Sequence, residues 1–126
     1  MAEPGKDPRL KLKAQVLLGD AIAIGPGKAD LLEAIARTGS IASAGRSLGL
    51  SYRRTRDMVE ALNASWRAPL IETSKGGAGG GGTVLTPTGG ELLRRYRALD
   101  KALQRTAARH AGSLVGLLKC GGGPSG

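Results

Sequence analysis

Gly45 and Gly49 stand four residues apart inside the stretch Ser40 to Leu62, SIASAGRSLGLSYRRTRDMVEAL, and that spacing leaves few folds open. Ser40 reads as the N-cap of a helix whose Ile41, Ala44 and Leu48 face one way, and Ser51 as the N-cap of the next helix. On that second helix Tyr52, Thr55, Val59 and Leu62 recur at i, i+3, i+7 and i+10 and are expected to face inward. Two helices joined by so short a turn cross closely. The crossing needs a small residue, supplied by Gly45 beside Ala44, and the turn needs a residue tolerant of positive φ, supplied by Gly49. Ile41, Leu48, Leu50 and Met58 then clamp the two helices. The pattern fits a helix-turn-helix, although an ordinary helical hairpin shares the small–xxx–Gly spacing.

The second of these helices has another face. Arg53, Arg56, Asp57 and Glu60 lie opposite the apolar stripe, with Arg54 on the flank. A recognition helix enters the major groove with its N-terminal residues leading. Arginine there can pair bidentately with guanine O6 and N7, or with phosphate oxygens. A solvated charged face is the plainer alternative, because Asp57 and Glu60 stand at ion-pairing distance along the helix from these arginines. Charge favours the first reading. The chain has a formal net charge of +9, which points to a polyanionic partner, and nucleic acid first. A compositional bias toward arginine would raise the total without clustering it. Here Lys101, Arg105, Arg109 and Lys119 stand in residues 101–126 with no acid among them.

The flanks complete the fold. The alternation Leu10-Lys11-Leu12-Lys13, continued through Leu18, predicts a half-exposed strand that turns at Gly19-Asp20 into a second strand, Ala21 to Ile24. A helix follows from Lys28, with Leu31, Leu32, Ile35 and Ala36 as its stripe and Gly39 past its end. After Asn63 to Pro69 come a strand, Leu70 to Thr73, the stretch SKGGAGGGG at 74–82, and a strand, Thr83 to Leu85. Thr86 as N-cap and Pro87 as first residue then open a long helix to about His110. On it Leu92, Tyr96, Leu99 and Leu103 step by 4, 3 and 4, a heptad-like seam suited to dimerisation.

The glycine stretch is not a phosphate-binding loop of the NTPase type, since Lys75 precedes the glycines and Thr83 begins a strand. Nor does it match a dinucleotide fingerprint, which needs a helix directly after it. A plain linker would lead to an independent domain, and only one helix and a tail follow. A hairpin tip fits best, and a strand–loop–strand after a helix-turn-helix is a wing. The expected fold class is therefore mainly α with small β elements: a winged helix-turn-helix with an N-terminal β-hairpin and a long C-terminal dimerisation helix. Residues 1–9 read as a flexible N-terminus, 10–110 as the DNA-binding domain and 111–126 as a tail.

Other chemistries find little support. Cys120 is the only cysteine and His110 the only histidine, so no internal disulfide or Cys/His zinc cluster can form. Nothing resembles paired acids or a nucleophile with its base, and no enzyme is expected. The start MAEPGKDPRL lacks the apolar core of a signal peptide, and no apolar run is long enough to span a bilayer. A soluble, cytoplasmic protein is expected, with no membrane partner.

Three segments, LLEAIARTGSIASAGRSLGLSYRRTRDMVEALN, LIET and TVLTPTGGELLRRYRAL, together with the wing GGAGGGG, resemble the N-terminal DNA-binding domain of the ModE-type molybdate-responsive transcriptional regulators, relatives of the LysR-type winged helix. The resemblance runs from about Leu10 to Leu103. It implies a homodimer on double-stranded DNA, with one recognition helix in each major groove and the wings on the flanking backbone. Full-length members continue into a molybdate-binding module; these 126 residues hold none, so no cofactor is expected here. The wing departs from the family pattern too. Ala78 stands where a basic residue is usual, and Thr73 where the incoming strand commonly ends in arginine.

DNA contacts are thus expected from Ser40, Ser51, Tyr52, Arg53, Arg54 and Arg56, and from Lys75, Gly76 and Gly77 in the wing. Dimerisation is expected through Leu92, Tyr96, Leu99 and Leu103. The function read from all this is a sequence-specific, homodimeric transcriptional regulator linked to molybdate transport or metabolism. Two alternatives stand beside it: an interaction module working with a separate sensor subunit, and a non-specific nucleic-acid binder. Ala78→Lys should tighten DNA binding and steepen its dependence on salt; affinity and slope both unmoved would mean that the wing does not touch DNA.

Overall fold

The structure, a computed structural model, describes residues 7–74 and 82–119. Its elements in order are β1 (Val16–Leu18), β2 (Ala21–Ile24), α1 (Pro26–Thr38), α2 (Ile41–Ser47), α3 (Tyr52–Ser65), β3 (Ile71–Ser74), β4 (Gly82–Leu85) and α4 (Pro87–Val115). This is the expected order, mainly helical with two small hairpins. The chain divides into two compact units: Ala14–Ala98, and Met1–Lys13 with Leu99–Gly126.

The first unit has an aliphatic core. Ile24, Leu31, Leu32, Ile35, Leu62 and Leu70 are its largest fully buried apolar side chains. Proline at the first position opens α1, and Gly39 closes it with φ 74° and its N–H on Ile35 O. The buried stripe of α1 holds Ala34 rather than Ala36, because Ala34 lies three residues after Leu31 and keeps to the core face, whereas Ala36 falls beyond it.

The helix-turn-helix forms as its spacing requires. Ser40 Oγ accepts from Ser43 N–H and Ser51 Oγ from Arg54 N–H, each at 3.1 Å, so both N-caps are made. Gly49 takes φ 72° in the turn. Leu50 N–H reaches back to Gly45 O at 2.9 Å and ties the turn to α2. At the crossing, a Cβ on Gly45 would lie 2.2 Å from Thr55 Oγ1, so any larger residue there pushes the helices apart. Thr55 is fully buried, and its hydroxyl is satisfied by Ser51 O at 2.7 Å. Val59 and Leu62 are buried with it, but Tyr52 is 55% exposed, contrary to the inward position expected of it. Its ring instead lies against Arg56, whose guanidinium carbon is 5.8 Å from the ring centroid. A tyrosine has a polar tip and a cationic neighbour to meet, so surface exposure costs it little.

β1 and β2 pair antiparallel, with Leu17 opposite Ile22, Leu18 opposite Ala21 and a bulge between Val16 and Leu17. The strand expected from Leu10 is shorter than its pattern, since only Val16–Leu18 is laddered. The alternation nevertheless shows in exposure. Leu10, Leu12 and Ala14 are half-buried, while Lys11, Lys13 and Gln15 are exposed. The segment is two-sided in exposure without being laddered.

β3 and β4 form the wing base in continuous register, from Ile71 opposite Leu85 to Ser74 opposite Gly82. The expected wing residues Lys75, Gly76 and Gly77, and Ala78 with them, lie outside the described residues. Three contacts seat the hairpin. Thr83 N–H donates to Gly39 O at 2.9 Å, joining β4 to the end of α1. Asn63, at the end of α3, accepts from Leu70 N–H (2.8 Å) and Ile71 N–H (3.0 Å) and donates to Ile71 O (3.0 Å). Thr86 Oγ1 donates to Pro69 O at 2.7 Å and accepts from Gly89 N–H at 3.0 Å, capping α4 as expected. Asn63→Ala strips two backbone donors and one acceptor of their partner where Leu70 and Ile71 are buried. A loss of about 2–3 kcal/mol in urea unfolding is expected, at the upper end of the cost of leaving polar groups unpaired. A loss under about 0.5 kcal/mol would mean that water replaces the side chain freely.

Tyr96 is 4% exposed and belongs to this unit's own core, its hydroxyl donating to Ala14 O at 2.9 Å. That corrects its expected place in a dimer seam: a spacing of 4, 3 and 4 suits an intramolecular core face equally well. Leu92 also packs partly against the core. Arg97 bridges Asp30 at 2.9 Å and Glu33 at 2.8 Å, fastening α4 to α1. Burial alone would lower its pKa, but the two carboxylates outweigh that and the net direction is upward.

In the second unit, Gln104 Nε2 donates to Leu12 O at 3.0 Å and Ala107 is buried. Pro8 and Leu10 line a shallow groove with Ala107, Ala108 and Ala111. Leu103 is half-buried and Leu99 is 44% exposed. Leu114, Leu117 and Leu118 are exposed as well. α4 runs to Val115 instead of ending near His110, since no proline interrupts Ala111–Val115.

Candidate nucleic-acid interface

α3 is the element that both the turn and the caps aim outward. Thr55, Val59 and Leu62 fix its inner face against the core. Ser51, Tyr52, Arg53, Arg54 and Arg56 are therefore gathered as exposed residues at its N-terminal end. The free N–H groups of that end add positive potential to three guanidinium groups.

Two clefts flank α3. One is lined by Lys28, Ser51, Arg53, Arg54, Asp57 and Met58. Lys28 comes from the first turn of α1, and its ammonium donates to Ile22 O at 2.7 Å. Sequence spacing gave no sign that it would join the arginines, because it is contributed by another helix. The other cleft lies between the start of α2, Tyr52 and the wing base, with Ser40, Tyr52, Thr73, Ser74 and Thr83 on its walls. Ser40 and Ser51 are thus brought to the same surface as the arginines, on opposite flanks. Both hydroxyls accept a backbone N–H and, among the described residues, donate to no partner, which leaves an O–H for a phosphate oxygen.

The three arginines differ in their surroundings. Arg56 donates from Nη1 to the Tyr52 hydroxyl at 3.3 Å, and its Nη2 lies 3.8 Å from Glu60 Oε2. The hydrogen bond to Tyr52, with the carboxylates of Glu60 and Asp57 behind it, pushes the Arg56 pKa up. Arg53 and Arg54 have no side-chain hydrogen bond or ion pair among the described residues. Beyond α3, among the described residues no group of three or more His, Cys, Asp and Glu could hold a metal ion, and no helix is long and apolar enough to cross a membrane. The arrangement offers donors and cations for a polyanion.

The helix-turn-helix and wing base fall within the part of the chain, residues 28–90, that matches the family model of the bacterial regulatory helix-turn-helix proteins of the lysR family. The molybdenum-pterin-binding protein MopB of Rhodobacter capsulatus is 41% identical over 91 residues, which are 72% of this chain and 34% of that protein. The molybdenum transport protein ModE of Herbaspirillum seropedicae is 41% identical over 95 residues, 71% of this chain and 35% of that one. The DNA-binding transcriptional dual regulator ModE of Escherichia coli K12 is 36% identical over 80 residues, 64% and 30% respectively. The chain thus spans about a third of the length of the curated relatives it matches. Among solved structures, the crystal structure of the CbnR_DBD–DNA complex superposes with a TM-score of 0.53 at 25% identity, over 66% of this chain and 90% of that one. The likeness to ModE-type regulators, drawn from residues 31–63, LIET, the glycine stretch and TVLTPTGGELLRRYRAL, is borne out by these identities.

Proposed function

This chain belongs to the LysR family of bacterial regulatory helix-turn-helix proteins, and on that premise we propose that it is a sequence-specific DNA-binding transcriptional regulator, acting as a homodimer and linked to molybdenum transport or metabolism. One observation carries the reading. Arg53, Arg54 and Arg56 are exposed on the first turns of a helix whose opposite face is locked into the core through the Gly45–Thr55 crossing. A helix so presented can enter a major groove without unfolding anything. Lys28, Ser40, Ser51 and the wing base supply donors on either side, suited to the two phosphate strands that border the groove. The names of the curated relatives support the link to molybdenum.

Exposed apolar surface supports the homodimer. Val16, Leu17, Leu18 and Ile22 are exposed on the first hairpin, and Leu99, Leu114, Leu117 and Leu118 in the second unit. Exposed apolar residues on each unit are candidate association surfaces. Footprinting on genomic fragments at moderate salt tests the whole proposal. Dyad-symmetric protection near promoters of molybdate transporter or molybdoenzyme genes is expected, with a dimer by sedimentation. Protection with no preferred sequence would reduce the protein to a non-specific binder, and a monomer at micromolar concentration would remove the dimer.

A further inference from the structure

Tyr52 and Glu60 stand one helical turn to either side of Arg56, and both reach it. The Tyr52 hydroxyl accepts from Nη1 at 3.3 Å, the Tyr52 ring lies 5.8 Å from the guanidinium carbon, and Glu60 Oε2 is 3.8 Å from Nη2. Asp57 is the only other acid on this part of α3, and it lies in the cleft with Arg53 and Arg54. Arg53 and Arg54 have no comparable grip among the described residues. A guanine edge demands a planar fork at one orientation, so an arginine held in advance loses less freedom on docking. A phosphate contact tolerates a mobile chain, because its energy comes mainly from charge and counterion release. Arg56 also has a carboxylate 3.8 Å away, which offsets part of its value as a bare cation.

From this contrast we propose that Arg56 reads a guanine in each half-site, that Tyr52 and Glu60 are positioning residues for it, and that Arg53 and Arg54 serve the phosphates. The inference rests on the reading of the protein as a DNA-binding regulator. It gives Glu60 a second consequence. A carboxylate at the groove repels phosphate, so it suppresses binding to sequences that offer Arg56 nothing.

The test is a base-preference profile, obtained by enriching a random-sequence duplex library on the whole chain. It is run for the unaltered protein and for Arg56→Lys, Tyr52→Phe, Tyr52→Ala and Glu60→Gln, with affinities for the preferred and a scrambled duplex at two salt concentrations. Arg56→Lys should erase one guanine preference per half-site. Tyr52→Ala should weaken that preference about two- to fivefold, the size of an exposed cation–π contact, with Tyr52→Phe between it and the unaltered protein. Both tyrosine changes should leave the salt slope on the scrambled duplex unmoved, because neither removes a cation. Glu60→Gln should tighten scrambled binding and steepen its salt slope by up to about one. A sharp profile that Tyr52→Ala leaves untouched, or an equal loss on every duplex, overturns the inference while leaving the DNA reading in place. A flat profile for the unaltered protein overturns both.

Discussion

Gly89→Ala is expected to lower stability by about 2–4 kcal/mol, while Gly90→Ala, one residue further on, leaves it unchanged or raises it by several tenths. The two positions sit side by side on the first turn of α4 and differ in what they face. A Cβ on Gly89 would stand 2.1 Å from Leu70 O, 3.0 Å from Leu70 C and 3.2 Å from Leu70 Cα. Those are backbone atoms and cannot rotate away. Leu70 O is also the acceptor for Thr86 N–H at 2.9 Å, and Thr86 Oγ1 holds Pro69 O at 2.7 Å. Displacing the carbonyl therefore breaks the cap of α4 and shifts Ile71, the first residue of the wing strand β3. At Gly90 a Cβ meets nothing within 4 Å, and alanine gains helix propensity over glycine. Urea unfolding followed by circular dichroism reads both, as a shift in midpoint at constant slope. Equal shifts for the two variants would mean that α4 can slide off Leu70 at little cost.

That pair shows where sequence reasoning stops. Gly89 and Gly90 look alike in the sequence, and only a neighbour 19 residues earlier for the first of them tells them apart. What was legible depended on local rules. The serine caps, the turn glycine and the small residue at the crossing each answer a demand made within a few residues, and all appear where the spacing puts them. Periodicity located faces but not their partners. It placed Tyr52 inside because Thr55, Val59 and Leu62 are inside, yet it cannot say where along a helix the packing ends. It gave Tyr96 to a seam because core faces and dimer faces share one spacing. Lys28 and Asn63 were missed for the same reason. One joins the arginines from another helix, and the other binds a strand seven and eight residues away through its amide. Nothing in their own neighbourhoods predicts either role.

Replacing Arg53 and Arg54 together by glutamine should lower affinity for every duplex, preferred and scrambled alike, and flatten the salt dependence by about two. The two guanidinium groups are exposed and, among the described residues, not committed to any carboxylate, so their full charge is available to displace counterions. Each phosphate contact adds about 0.9 to the slope of log K against log salt. Two contacts then amount to roughly a tenfold difference in how far binding weakens between 50 and 200 mM salt. The unaltered protein should therefore lead the variant by a wide margin at low salt and by roughly tenfold less at the higher concentration. Helix formation should not suffer, since glutamine is nearly as good a helix former as arginine and the cap on α3 is made by Ser51 Oγ with the backbone N–H of residue 54. The base preference assigned to Arg56 should survive, because its grip comes from Tyr52 and Glu60. A loss confined to the preferred duplex, with the salt slope unmoved, would reverse the assignment: Arg53 or Arg54 would be reading bases, and Arg56 would be held by its neighbours for the sake of the helix alone.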